Sequence, residues 1–283
     1  MQCNNCPRHC LDFNFCSKTD SFKVNIYQLH NWEEPPISGT KGSGTIFFSN
    51  CNLKCNYCQN YKISHLGKGK DISHDRLIEI CWDLAGKGAH NINFVTPTPY
   101  ADKLIKVMKS LRENGFKLPF VWNCGGYESL DLIKKLDGIV DIYLPDFKYS
   151  DDKLAVEYSS APGYYENAKA VISEMRRQVT DVFDADAVMQ KGLIIRHLAL
   201  PGHVENSKGV LRAIKDAVGT GTMVSLMSQY CPIYKAVDHK VLGRKISPDE
   251  YTEIYEYFLG LGFQNGYAQD FDSATEEYIP EFK

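Results

Sequence analysis

Apolar and polar positions along this chain fall into blocks whose period switches between 2 and 3.6, the signature of strands and helices in alternation. Thr45-Ile46-Phe47-Phe48 reads as a buried strand. Ser73 then stands as a helix N-cap, and Leu77, Ile80, Cys81 and Leu84 recur on one helical face. Asn91 to Pro97 is a second strand, and Lys103 to Asn114 a helix with Leu104, Val107, Met108 and Leu111 inward and Gly115 as its stop. Phe120-Val121-Trp122 is a third strand, followed by a short helix carrying Leu130, Ile133 and Leu136 on one side. Val140 to Leu144 is the fourth strand, with a helix from Ala168 to Val179 after a longer excursion. Leu193 to Leu198 and Met223 to Met227 are the fifth and sixth strands, with a helix from Val210 to Val218 between them. Ser247-Pro248 opens a last helix with Tyr251, Ile254, Phe258 and Leu261 on one face.

Strands that alternate with helices imply a parallel sheet. Right-handed crossovers curl such a sheet toward a barrel, and a doubly wound open sheet is the alternative. Residues 1–40 break the pattern: they are Cys-rich and irregular, and the prolines of Glu34-Pro35-Pro36-Ile37-Ser38-Gly39 imply an extended entry. The expected organisation is a Cys-rich extension over residues 1–40 and a barrel domain over 41–283. The tyrosines near residues 251–257 are read as helix core.

Charge narrows the function. A formal net charge of −3 argues against a general binder of nucleic acid or of anionic membranes. Lys68, Lys70, Arg176 and Arg177 form only small basic groups, read as solvated faces. There is no apolar h-region at the start, and no apolar run of the roughly 18 residues a membrane span needs. A reducing cytoplasm is therefore expected, where ten cysteines serve as metal ligands or free thiols.

Three of those cysteines, Cys51, Cys55 and Cys58, lie in a C-x3-C-x2-C loop directly after the first strand. Soft thiolates select iron–sulfur, zinc or Cu(I). A self-contained [4Fe–4S] cluster takes four cysteines, so three leave one iron open for chemistry. The competing reading is a zinc site completed by His65. A second set, Cys3, Cys6, Cys10 and Cys16, has enough thiols to close a site by itself, for an iron–sulfur cluster or zinc; otherwise these are free thiols.

The cluster loop, with Tyr57 before its last cysteine, resembles that of the radical SAM enzymes. Glu-Pro-Pro-Ile-Ser-Gly, Gly-Ser-Gly-Thr-Ile-Phe-Phe, Asn-Ile-Asn-Phe-Val-Thr-Pro-Thr and Ile-Tyr-Leu-Pro-Asp-Phe-Lys-Tyr extend the resemblance over nearly the whole chain. The chain is similar to the radical SAM proteins related to pyruvate formate-lyase activating enzyme (the PflX-like proteins). That resemblance implies an α/β fold, a partial (βα)6 TIM-like barrel, with a [4Fe–4S] cluster and S-adenosyl-L-methionine as cofactors. One electron from the cluster would cleave the cofactor to a 5′-deoxyadenosyl radical. A low-potential donor of the flavodoxin or ferredoxin type would supply it. The expected substrate is a glycine of a partner glycyl-radical enzyme. The alternative is radical modification or epimerisation of another peptide or small molecule, and a further one is a non-enzymatic metal-binding module.

Ligands of such folds sit beyond the C-terminal strand ends. Strand two ends in Thr96-Pro97-Thr98-Pro99, where related activases carry Gly-Gly-Glu for the methionine amino group; Thr96 and Thr98 are candidates in its place. Asn123, Gly125 and Gly126 end strand three, as a ligand contact or a tight turn. Asp146 and Lys148 end strand four and resemble the activases' Asp-x-Lys pocket segment. Arg196, inside an apolar strand, requires a carboxylate: that of the cofactor, or Asp146. Gln229 is a candidate for ribose or adenine, and Tyr57 for the cofactor. Cys124 and Cys231 are buried strand-end thiols or, in the alternative, a hydrogen-atom donor.

Overall fold

Parallel pairing dominates the computed structural model, which describes residues 2–11, 15–16, 21–269 and 282. In chain order its elements are β1 (Phe22–His30), α1 (Pro35–Ser38), β2 (Ser43–Phe48), α2 (Tyr61–Ser64), β3 (Lys70–Ile72), α3 (His74–Gly86), β4 (Ile92–Val95), α4 (Ala101–Glu113), β5 (Phe120–Cys124), α5 (Leu130–Lys135), β6 (Ile142–Pro145), α6 (Asp152–Ser159), α7 (Tyr164–Gln178), β7 (Val182–Phe183), β8 (Met189–Leu198), α8 (Val204–Val218), β9 (Met223–Met227), α9 (Pro248–Gly260) and β10 (Gly266–Ala268). The sheet order is β10-β9-β8-β6-β5-β4-β2-β1-β3, with β7 attached to β8. From β2 to β10 along that order every neighbouring pair is parallel. The six expected strands are thus present and adjacent in sequence order. The two edges, β3 and β10, do not pair, so the barrel is open.

Side-chain alternation gives the wall two faces. Phe120 and Trp122 of β5 pack outward in the large core with the helices. Val121, between them, points inward and joins Ile142, Leu144, Ile194 and Met223 in a separate apolar floor. Ile37 of α1 completes that floor and is fully buried. Burying such a side chain stabilises by about 1.5–3 kcal/mol, which pins the segment before β2 against the lumen.

The helices follow the expected faces. The Ser73 side chain accepts from the Arg76 N–H, and Leu77, Ile80, Cys81 and Leu84 are buried in α3. Ser247 and Glu250 form a reciprocal capping box on α9. Three expectations need correction. Residues 22–30 are not irregular: they form β1, antiparallel to β2. Pro35 and Pro36 do not hold an extended chain but begin a helical turn, because the N–H that proline lacks at that position has no helical partner in any case. Of the tyrosines near 251–257, Tyr251 is core, while Tyr255 is exposed and the Tyr257 hydroxyl accepts from Arg212 on the surface.

Candidate active site at the mouth of the barrel

The chain leaves β2 through Asn50, whose φ of +68° lies in the left-handed region that L-residues seldom adopt. Its N–H donates to the Ile63 carbonyl at 2.9 Å and closes the 50–63 loop. The end of α6 clamps the loop on both sides of Cys55: Lys54 N–H donates to Ser159 O at 3.0 Å and Asn56 N–H to Tyr158 O at 2.7 Å. Asn52 donates to the Tyr127 carbonyl at 2.8 Å. Leu53 packs on Gly125 so closely that a Cβ there would stand 2.7 Å from Leu53 Cδ1.

Each of the three thiols has a polar neighbour. Cys51 Sγ accepts from Leu53 N–H at 3.3 Å, Cys55 Sγ from Ser159 Oγ at 2.9 Å, and Cys58 Sγ lies 3.1 Å from Ser64 Oγ. Burial pushes Cys51 up to about 12 and Cys58 to about 11, and raises Cys55. Repulsion between Cys51, Cys55 and Cys58 as thiolates adds to the rise at Cys51 and Cys58. Soft donors, one buried and two half-buried, that repel one another as anions are the donor set that a cationic cluster neutralises, so the loop fits a three-thiolate iron–sulfur centre. Among the described residues no group of three or more His, Cys, Asp or Glu side chains stands close enough together to hold a single metal ion, so the fit of the three thiols rests on their donor chemistry. His65 turns its Nε2 to the Cys55 carbonyl, 3.1 Å away, rather than toward the thiols, so nothing favours the zinc alternative.

The strand-end residues do not all face the loop. Lys148 Nζ pairs with Asp146 Oδ2 at 2.6 Å, with side chains only 15% and 20% exposed; this is not a surface pair. Burial opposes the charge on Asp146, but Lys148 and Arg196 outweigh it and hold its pKa below the ordinary value. Lys148 is desolvated as well, and Asp146, joined by Cys55 when it is a thiolate, nevertheless keeps it charged. Arg196 Nε donates to Asp146 Oδ1 at 2.9 Å, Nη2 to Asn123 Oδ1 at 2.5 Å, and Nη1 lies 3.4 Å from Glu33 Oε2. Of its two foreseen carboxylate partners, the structure shows Asp146.

Thr96 has φ +60°, an unusual conformation for a β-branched residue, and is half-buried at the end of β4. Thr98 is buried, and its hydroxyl donates to Glu128 Oε1 at 2.6 Å. Gly126 has φ +73°, and a Cβ there would lie 2.2 Å from the Asp146 carbonyl oxygen. Both glycines therefore serve close packing. Tyr57 is buried and its hydroxyl lies 2.6 Å from that of Tyr149. Gln229 accepts from Gln269 at 3.1 Å. Cys124 is buried on the outward face with Trp122, near Glu128, which removes the ground for it as a lumenal hydrogen donor. Cys231 is half-buried in the loop after β9.

Two acids escaped the sequence reading. Glu33 and Glu34 precede α1 and enter the lumen: Glu33 accepts from Asn93 at 2.9 Å and pairs with Arg196. Burial pushes both carboxyls up against the pull of Arg196. Two adjacent acids before Pro-Pro, followed by a buried Ile, were the available signal.

The N-terminal cysteines lie against the same loop. Cys3 N–H donates to Cys10 O at 2.8 Å, and Cys6 and Cys16 are both raised by burial and by repulsion from Cys3. Arg8 donates from Nε to Asn52 O at 2.8 Å and from Nη2 to Ser160 O, tying this segment to the cluster loop and the end of α6.

The model of the radical SAM superfamily matches residues 45–193, from β2 into β8. The chain belongs to the radical SAM superfamily. Membership makes it an enzyme and brings a [4Fe–4S] cluster and S-adenosylmethionine as cofactors, with reductive cleavage of the latter. An uncharacterised protein of Methanocaldococcus jannaschii is 28% identical over 267 residues, covering 90% of this chain and 73% of that one. Lipoyl synthase of Mycolicibacterium smegmatis is 22% identical over 248 residues, covering 84% and 70%. Among solved structures, SuiB of Streptococcus suis bound to S-adenosylmethionine aligns with a TM-score of 0.54 at 11% identity. That alignment covers 78% of this radical SAM chain but 48% of SuiB, so the chain spans about half the length of that neighbour. No helix among the described residues is long and apolar enough to cross a membrane.

Proposed function

We propose that Cys51, Cys55 and Cys58 ligate three irons of the [4Fe–4S] cluster and leave the fourth for S-adenosylmethionine. The observation that carries this is the presentation of three thiols on one loop, Cys55 buried and Cys51 and Cys58 half-buried, each with a polar neighbour, beside Lys148 at the C-terminal mouth of the parallel strands. When bound and reduced by a low-potential flavodoxin- or ferredoxin-type donor, the cluster supplies the electron that cleaves the cofactor to methionine and a 5′-deoxyadenosyl radical. The protein's part is to hold, orient and exclude water. Tyr57, Thr96, Asn123, Gly125, Asp146, Lys148 and Gln229 are the candidates for contact with the cofactor. Thr96 is the best placed for a direct contact, because it is strained, half-exposed and makes no side-chain hydrogen bond among the described residues. Arg196 contributes indirectly, by holding Asp146, Asn123 and Glu33.

For the substrate we propose a backbone glycine of a partner enzyme; the support is the strand-end Asp146-Phe147-Lys148 segment and its resemblance to the activases. Modification of another peptide or small molecule is the alternative. For Cys3, Cys6, Cys10 and Cys16 we propose a second metal site, iron–sulfur or zinc, supported by their close grouping.

The test is anaerobic. The protein is reconstituted with iron and sulfide, reduced with dithionite, given S-adenosylmethionine and assayed for 5′-deoxyadenosine, with Cys55→Ala as control. Product from the unaltered protein alone is expected. A fully loaded, reducible and cofactor-binding protein that forms none refutes the reading. A glycyl doublet in electron paramagnetic resonance on a candidate partner tests the substrate, and iron-to-zinc stoichiometry tests the second site.

A further inference from the structure

The three proposed cluster thiols differ in where their polar neighbours come from. Leu53 lies in the loop itself and Ser64 at the end of α2 directly after it, and they follow their cysteines by two and six positions. Ser159 is 104 positions away, at the end of α6, and its contact with Cys55 is the shortest of the three at 2.9 Å. Ser159 is fully buried and held by its own backbone, whose carbonyl accepts from Lys54 N–H.

Behind Ser159 stands a chain of hydroxyls. Its Oγ lies 2.6 Å from Tyr149 Oη, and Tyr149 Oη lies 2.6 Å from Tyr57 Oη. Tyr149 is fully buried and Tyr57 is 7% exposed. Each hydroxyl has one proton to give. A cluster thiolate can only accept, so the Ser159 proton points at Cys55 Sγ. Ser159 Oγ must then accept from Tyr149, and Tyr149 Oη must accept from Tyr57. The direction of the whole chain, Tyr57 to Tyr149 to Ser159 to Cys55, is set by its last member. Hydrogen bonds aligned this way in a dry interior polarise and strengthen one another. The chain also begins two residues from where it ends, so it closes a ring through the cluster loop.

We propose that Ser159 is a positioning residue that sets the reduction potential of the cluster through Cys55, with Tyr149 and Tyr57 aligning its hydroxyl. The inference rests on the ligand assignment above. A hydrogen bond to a cluster sulfur stabilises the more negative, reduced state, and such bonds are among the levers that set cluster potentials.

The experiment is a redox titration of the anaerobically reconstituted protein, followed by electron paramagnetic resonance, with iron and sulfide counted in every sample. Ser159→Ala should hold the same iron and show a more negative midpoint. Ser159→Thr, which keeps the hydroxyl, should return the midpoint toward that of the unaltered protein. Tyr149→Phe keeps the Ser159 contact but removes its donor, and should shift the midpoint the same way by less. It also carries the test if Ser159→Ala fails to hold the cluster. Equal midpoints in fully loaded Ser159→Ala and unaltered protein, or no shift in Tyr149→Phe where the serine variant does not load, overturn the proposal alone. An unaltered protein that assembles no cluster, or a Cys55→Ala variant that loads as fully, overturns the ligand assignment and this proposal with it.

Discussion

Replacing Arg196 with Met tests the reading of the lumen as a neutralised charge network. The guanidinium holds Asp146, Asn123 and Glu33 and is only 16% exposed. Removing one partner of a buried pair costs about 3–5 kcal/mol, because the other charge is left uncompensated. Asp146 keeps Lys148 at 2.6 Å, so the loss falls mainly on Glu34 and Glu33, whose carboxyls burial already disfavours, and the expected cost is at the lower end, about 3 kcal/mol. At about 2 °C per kcal/mol for a chain of this size, the melting temperature should drop by about 6 °C. Glu33→Gln removes a carboxylate that burial already disfavours, and combining it with Arg196→Met should restore about 1–2 kcal/mol. The pH dependence has a definite sign. A carboxyl whose folded pKa is raised takes up a proton in the folded state as pH falls, so the Arg196→Met deficit should shrink as pH is lowered toward the unfolded glutamate pKa, about 4.3. Urea unfolding of the apo-protein at several pH values measures all of this. An Arg196→Met protein as stable as its parent, or a double variant no better than the single, would refute the reasoning.

Two further outcomes follow from the same physics. His197 is buried between the Phe147 carbonyl at 2.7 Å and Ser207 Oγ at 2.9 Å, and burial lowers its pKa to about 4. Its depressed folded pKa makes stability fall as pH drops below the unfolded value of about 6.5, with the full loss of about 3 kcal/mol reached below the folded pKa; a His197→Asn variant should lack this part of the slope in acid unfolding curves. Gly126→Ala forces a Cβ toward the Asp146 carbonyl at a φ of +73° and should destabilise by about 2–4 kcal/mol, read as a lower urea midpoint; an unchanged midpoint would show that the strand-end turn relaxes freely.

Much of the frame is legible in the chain because its signals are local. The faces of α3 and α4, the Ser73 cap and the six parallel strands each follow from residues within a dozen positions of one another. The spacing of Cys51, Cys55 and Cys58 is legible for the same reason, since all three are written within one short stretch of the chain. β1 was hidden because the Cys-rich stretch before it and the prolines after it dominate the reading of residues 1–40.

Contacts between distant positions were decided only by the folded chain. No local pattern says that Glu33 reaches Arg196, that Gly125 makes room for Leu53, or that Ser159 reaches Cys55. Gly125 and Gly126 illustrate the limit: the sequence shows that a side chain is absent, and the tertiary structure shows that the space goes to Leu53 and the Asp146 carbonyl. The sequence by itself determined the periodicities, the caps and the thiol spacing, because each depends on covalent neighbours. Which charges meet in the lumen and which hydroxyl faces which sulfur depend on crossovers that bring residues 50 to 163 positions apart into contact, and only the packing of the strands decides those.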